Sequence, residues 1–265
     1  MSEDERDGED PRGTEDEHPA PARPPRGPGS LTLVATPIGN LGDITLRALE
    51  VLKSVHVILA EDTRHSRRLL NHYAINTPLI AYHDHNESRV TPSLIERMQR
   101  GEKMALITDA GTPGISDPGF YLVRAALAAG IEITTTPGPS ALLAALTLSG
   151  FPCETFVFVG FTPKKPGELA RMVDELVNEP RTTVFYVAPH QLRKVVDAIA
   201  DRLPDRELAV AKELTKLHEA VVRGTAADLK MKFAPTMPRG EFVLIVKGLG
   251  WRRRDRHEEA DEPAE

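Results

Sequence analysis

Two glycine- and proline-rich turns about twenty residues apart constrain this 265-residue chain most: Asp109-Ala-Gly-Thr-Pro-Gly-Ile-Ser-Asp-Pro-Gly119 and Thr136-Pro-Gly-Pro-Ser-Ala141. Each follows a short apolar run and leads into a run of helical spacing. Met104 to Thr108 reads as a buried strand, because a short apolar run closed by Asp and Gly suits a parallel sheet covered on both faces. After it, Asp117 is expected to cap a helix with Pro118 at its first position, where a missing N–H costs nothing. Phe120, Val123, Ala126 and Leu127 recur on one expected face, and Gly130 is placed to close the helix. Ile131 to Thr135 reads as the next strand, with Ser140 as N-cap of a helix that Gly150 stops. A third unit of this design opens the folded region: strand Leu31 to Ala35, turn Thr36-Pro-Ile-Gly-Asn-Leu-Gly-Asp43, and a helix expected to bury Leu46, Leu49 and Leu52.

Strand, turn and helix in repeated order predict an α/β fold with an open parallel sheet. In such sheets ligands sit beyond the carboxyl ends of the strands, so the three turns define one candidate pocket. None has the Gly-Lys-Ser/Thr of a phosphate loop, and the dinucleotide G-x-G-x-x-G spacing is absent. A nucleotide-like ligand without phosphates fits better.

Charge is unevenly distributed. Residues 1–29 hold nine Asp/Glu and four Lys/Arg among many Pro and Gly, and 251–265 hold six acidic residues and four Arg, so both read as disordered tails. With tail charges of −5 and −2 set against a total of −6, residues 30–250 carry about +1. That region suits two α/β domains, 30–150 and 151–250, with a boundary near Gly150 to Glu154. No apolar stretch has the length of a membrane span, no signal segment is evident, and Cys153 is the only cysteine, all of which suit a soluble cytoplasmic protein.

The second half alternates strands at Phe156 to Phe161, Thr182 to Ala188, Glu207 to Lys212, Glu219 to Arg223 and Glu241 to Lys247 with helices near Glu168 to Val177, Pro189 to Leu203 and Thr225 to Phe233. The short connection after Lys212 predicts an antiparallel pair, hence a mixed sheet.

Taken together, Ala35-Thr-Pro-Ile-Gly-Asn-Leu-Gly-Asp43, Ala60-Glu-Asp-Thr-Arg64, the two turns above and Glu213-Leu-Thr-Lys216 resemble the bacterial 2'-O-ribose methyltransferases of small-subunit ribosomal RNA, within the tetrapyrrole methylase fold group. The resemblance covers about residues 31–248. It implies two α/β domains with S-adenosylmethionine folded in a cleft between them, a decoding-centre cytidine of 16S ribosomal RNA in the small ribosomal subunit as acceptor, and a homodimer.

By the same resemblance Pro37 and the turn that follows it, with Asp109, Ala110, Gly111, Ser116, Asp117, Ser140 and Ala141, border the cofactor, with Tyr186 and Ala188 on the opposite wall. Carboxylates suit a ribose diol or an ammonium group, and glycine admits close backbone approach. Val187, Ala188 and Gln191 depart from the family pattern, in which many members carry an acidic residue, a serine and an arginine. Glu61, Asp62, Lys212 and Glu213 are the candidates for a base that takes the 2'-hydroxyl proton. Arg64, Lys164 and Lys165 are expected to meet RNA phosphates, with Arg67 and Arg68 equally readable as a solvated helix face. The run His83-Asp-His-Asn-Glu87 contains metal-ligand types but no second cluster of matching spacing. No metal is expected, and His83 and His85 are assigned to contact with substrate or a partner subunit. Two rival functions remain open: methylation of a tetrapyrrole or other small acceptor on the same fold, and a non-catalytic RNA-assembly module that keeps only cofactor binding.

Overall fold

The computed structural model describes residues 28–234 and 238–250. The expected tail 251–265 and all but the last two residues of the tail 1–29 lie outside the described residues. Five strands form the first sheet: β1 (Ser30–Val34), β2 (Val57–Ala60), β3 (Leu79–Ala81), β4 (Lys103–Ile107) and β5 (Glu132–Thr136). All pair in parallel in the order β3-β2-β4-β1-β5. The helices α1 (Leu46–Ser54) and α2 (Thr63–His72) cover one face, packing Leu52, Leu69 and Leu70 on Val34, Ile58 and Ile107. On the other face α3 (Glu87–Gln99) and α4 (Phe120–Ala128) pack Leu94, Met98 and Leu122 on Leu31, Leu59 and Leu106. A parallel sheet buried on both faces explains its near-continuous apolar strands.

The helix α5 (Ala141–Ser149) precedes the expected boundary near Gly150 yet packs on the second sheet. That sheet contains β6 (Phe156–Phe161), β7 (Thr182–Val187), β8 (Glu207–Lys212), β9 (Ala220–Thr225) and β10 (Phe242–Val246), in the order β6-β7-β10-β8-β9. The pair β6 and β7 is parallel, and the other pairs are antiparallel. Strand alternation sends Val184, Ala209, Ala211, Val243 and Ile245 toward Leu142, Ala145 and Leu146 of α5. Their neighbours Phe185, Val210 and Leu244 face α6 (Pro166–Val177), α7 (Pro189–Arg202) and α8 (Ala226–Phe233). The Arg223 guanidinium of β9 donates to the Ser149 carbonyl at 3.0 Å and also to that of Leu148, satisfying the last carbonyls of α5.

Three local expectations are corrected. Asp117 and Pro118 do not start α4; Gly119 does, at φ 142°. The chain turns at Ser116 (φ 63°) and again at Gly119, and the Asp117 carboxyl faces Thr108 and Glu61 instead of a helix end. On α4 the buried side chains are Leu122 and Ala126, leaving Phe120 and Leu127 exposed. On α1 Ala48 and Leu52 are buried with Leu49 packed beside them, but Leu46 is 80% exposed, because the buried stripe starts one turn later. Ser140 does cap α5, accepting from the Leu143 N–H at 3.5 Å, and Gly150 closes it at φ 75°.

Candidate functional site

The carboxyl ends of β1, β2, β4 and β5 deliver four loops to one place. Thr36 and Gly111 exchange backbone hydrogen bonds at 2.8 and 3.0 Å, stitching the turn after β1 to the turn after β4. Gly111 sits at φ +88°, a conformation that costs other residues about 1–2 kcal/mol. The Thr112 hydroxyl donates to the Pro139 carbonyl at 3.3 Å, joining the turn after β5. The second sheet closes the space from the other side. The resulting cleft of about 460 Å³ is lined from the first sheet by Ile38, Glu61 and residues 109–112, 115–117, 140 and 141. Phe161, residues 186–189, Ala211, Leu214 and residues 241–243 line it from the second.

Three carboxylates meet at this wall. Thr108, buried beneath them, donates its hydroxyl to Glu61 Oε2 at 3.3 Å, and Asp109 Oδ1 accepts from the Asp62 N–H at 3.2 Å. Burial, reinforced by the Asp109 charge, raises the Glu61 carboxyl above its ordinary range. Burial and then the Glu61 charge push Asp117 up to about 7, with Asp109 and Asp84 adding repulsion. Burial also raises the Tyr186 phenol, whose ring meets Phe158 and Phe161 edge-on at 5.0 and 5.5 Å. No lysine, arginine or histidine is among the lining residues. The acceptor-rich lining therefore suits a ligand with positive charge, a ribose diol and an apolar ring, and opposes phosphate.

Ten expected residues line the cleft: Glu61, Asp109, Ala110, Gly111, Ser116, Asp117, Ser140, Ala141, Tyr186 and Ala188. Pro37, Asp62, Lys212 and Glu213 do not; in each case an adjacent residue does. Asp62 caps α2, accepting from the N–H groups of Arg64 and His65, which lower its carboxyl. Ala211 faces the cleft, so strand alternation turns Lys212 away. The Glu213 carboxylate accepts from the Glu241 N–H at 2.8 Å and from Lys216, and is lowered by both. It is a structural acceptor.

Arg64, Lys164 and Lys165 are exposed outside the lining, with Lys165 paired to Glu168 at 3.2 Å. His83 and His85 stand on a turn that Asn86 organises, accepting from the His83 N–H and donating to the Ala81 carbonyl, both at 3.0 Å. The Asp84 and His83 charges both act on Glu61, which puts this turn beside the cleft mouth. Among the described residues no group of three or more His, Cys, Asp or Glu is arranged to hold a metal ion. Of the family departures, Val187 and Ala188 line the cleft, whereas Gln191 is buried at the start of α7. The expected turn after Pro37 reaches the cleft through Ile38, whereas sequence reasoning missed Phe161, Leu214, Glu241 and Phe242. All sit at strand ends or next to motif residues; the apolar ones carry no chemical signature, and Glu241 reaches the cleft only through the pairing of β10 with β8.

Comparison with known proteins identifies the family and the fold. The family model of tetrapyrrole (corrin/porphyrin) methylases matches residues 30–230. The chain is 50% identical over 224 residues to ribosomal RNA small subunit methyltransferase I of Xylella fastidiosa, covering 83% of this chain and 82% of that one. It is 41% identical over 220 residues to the protein of that name from Thermotoga maritima, covering 83% of this chain and 99% of that one. Among solved structures, uroporphyrin-III-C-methyltransferase from Thermus thermophilus superposes with a TM-score of 0.59 at 23% identity, over 83% of this chain and 94% of that one. Diphthine synthase does so with a TM-score of 0.60 at 14% identity, over 83% and 90%. These two likenesses speak for the fold alone.

Proposed function

Because this chain belongs to the tetrapyrrole (corrin/porphyrin) methylase family and, within it, to the family of ribosomal RNA small subunit methyltransferase I, we propose that it methylates the ribose 2'-hydroxyl of a decoding-centre cytidine in 16S ribosomal RNA, with S-adenosylmethionine as methyl donor. The observation that carries the cofactor half of this reading is the charge of the cleft: four carboxylates, Glu61, Asp109, Asp117 and Glu241, and no cationic side chain among its lining residues. S-adenosylmethionine, when bound, supplies a methyl group on a sulfonium, beside an ammonium group and a ribose diol.

Asp109 and Asp117 are suited to accept from the ammonium or the diol, Gly111 lets backbone approach, and Ser140 offers a hydroxyl at the start of α5. The aromatic edge of Tyr186 and Phe161 and the apolar Ile38, Leu214 and Val243 exclude water around the remainder. Among the four expected bases Glu61 fits best, since it alone lines the cleft and its raised carboxyl is the better proton acceptor. With S-adenosylmethionine bound, the 2'-hydroxyl oxygen would take the methyl group from the sulfonium, whose sulfur would leave as a neutral thioether, and the Glu61 carboxylate would take the hydroxyl proton. Asp62 orients the N-terminus of α2, where Arg64, Arg67 and Arg68 are exposed for phosphates, with Lys164 and Lys165 as a second basic group.

The 2'-hydroxyl enters the cleft from a single-stranded or splayed segment of a small ribosomal subunit. The protein works in the cytoplasm as a homodimer; exposed Phe120, Tyr121 and Leu127 on α4 and Phe156, Val159 and Phe161 on β6 supply apolar surface for the second copy. The deciding experiment is transfer of labelled methyl from S-adenosylmethionine to small subunits lacking the modification, with the product nucleotide mapped. One 2'-O-methylated decoding-centre cytidine is expected. Methylation of a tetrapyrrole precursor instead, or cofactor binding with no transfer, would overturn the acceptor.

A further inference from the structure

Lys216 stands where the second-sheet wall of the cleft meets the turn after β1. Its Nζ donates to Glu213 Oε1 at 3.1 Å and to Glu241 Oε2 at 2.8 Å. The same Glu213 oxygen accepts from the Glu241 N–H at 2.8 Å, and the Glu213 N–H donates to the Glu241 carbonyl at 3.0 Å. Glu241, a cleft-lining residue whose side chain is otherwise 72% exposed, is thus held by backbone and carboxylate together. The turn that carries Lys216 is itself under backbone strain, with Glu213 at φ 50° and Thr215 at φ 66°. Such conformations persist where surrounding bonds over-determine them. Here Glu219 adds one, accepting from the Thr215 N–H at 2.6 Å.

A steric contact completes the arrangement. A Cβ on Gly39 would lie 2.5 Å from Lys216 Cγ, 2.9 Å from its Cε and 3.0 Å from the Leu214 carbonyl. Gly39 is not in the left-handed region, so a larger residue there would meet only a shortage of space, chiefly against the Lys216 stem. The turn from the first sheet therefore rests on the alkyl stem of a second-sheet lysine. Next to this contact Ile38 and Leu214 share one apolar cluster, and both line the cleft.

From these contacts we propose that Lys216 is a positioning residue that sets the separation of the two cleft walls: its ammonium holds the Glu241 rim, and its stem fixes how near the Gly39 turn comes. Neither Lys216 nor Gly39 lines the cleft, so both act through Glu241 and Ile38. The ion pairs alone, with Lys216 28% exposed, would be modest; the strained turn and the cross-sheet contact make the lysine a spacer. This inference rests on the reading that the cleft takes S-adenosylmethionine.

The test is a double-mutant cycle on the full chain, Gly39→Ala and Lys216→Ala alone and together, with cofactor affinity read by calorimetry and unfolding temperature by circular dichroism. Gly39→Ala is expected to weaken binding about tenfold, equivalent to about 1.4 kcal/mol, when Lys216 is present, and less than about threefold when it is alanine. Lys216→Met keeps the stem and loses the charge, so it should raise the KM for cofactor with kcat at saturation changed less than about twofold, and Lys216→Arg should restore part of the loss. Additive single-mutant effects, or unchanged affinity in Lys216→Ala, would overturn the spacer. If the wild-type protein binds no S-adenosylmethionine, the functional reading fails instead. The unfolding temperatures still decide the contact, because they need no ligand, and additivity there would sink it.

Discussion

Replacing Asp117 with asparagine should stabilise the protein at neutral and alkaline pH and progressively less as the solution is acidified. The carboxyl rises from its ordinary 3.8 to about 7 in the folded state, chiefly through burial and then through the charge of Glu61. Between those two values the folded chain holds a proton that the unfolded chain has released, so stability falls as pH rises through the window and levels off above it. The full linkage over that interval is about 4 kcal/mol at 1.36 kcal/mol per pH unit. Asp117 lines an open cleft, and screening cuts this to about 2 kcal/mol. Asparagine keeps the shape and hydrogen-bonding capacity of the protonated acid without its titration. Thermal melts of both proteins at about pH 5 and about pH 8 should show the variant's advantage growing by about 1–1.5 kcal/mol, or about 2–6 °C for a chain of this size. An equal advantage at both pH values, or a less stable variant at the higher one, would refute the argument that burial, reinforced by the Glu61 charge, keeps this carboxyl protonated in the folded state. With a cationic ligand the sign reverses: wild-type affinity for S-adenosylmethionine should tighten from about pH 6 to about pH 8, and that of Asp117→Asn should stay nearly flat.

Three further outcomes follow from the site. Glu61→Gln should lower turnover at saturating RNA by about 10²-fold or more, whereas unchanged turnover with alanine at both 61 and 62 would remove both carboxylates from the mechanism. Gly111→Ala, forced to φ +88°, should cost about 1–2 kcal/mol in urea unfolding and weaken cofactor binding, since the Thr36 exchange depends on that backbone. Arg64→Ala should leave cofactor affinity unchanged while reducing the salt dependence of binding to small ribosomal subunits by about one unit of slope, because it removes one phosphate contact.

Much of this architecture was legible because its signals are local. The strands before each glycine-rich turn and the caps at Ser140 and Gly150 depend on a few neighbouring residues, and they stand where spacing put them. The elements β3 and α3 were not expected, since a three-residue strand has no periodicity and Pro92 interrupts the helical pattern of α3. Asp117 misled for a physical reason: Asp-Pro before an apolar run is the pattern of a helix start, but two positive-φ residues re-aim the carboxyl inward. Within the site, the chemically distinctive residues were recognisable, whereas Glu241 and Leu214 owe their position to pairing between distant strands. Likewise Glu213 looked like a base by type, and only its contacts with Lys216 and the Glu241 N–H show that it is already committed.

The packing of α5 on the second sheet relocates the joint of the molecule. Cutting the chain at Gly150 would strip Leu142, Ala145 and Leu146 from the face formed by Ala209, Ala211 and Val243, so the C-terminal half produced alone should aggregate. The seam between the two bodies then runs through Pro137-Gly138-Pro139, the only chain between β5 and the cap of α5. This is also the turn whose next residues, Ser140 and Ala141, line the cleft. Covalent joint and cleft wall are thus one piece of backbone, so a ligand held at Ser140 and Ala141 would touch the one segment that links β5 to the helix packed on the second sheet.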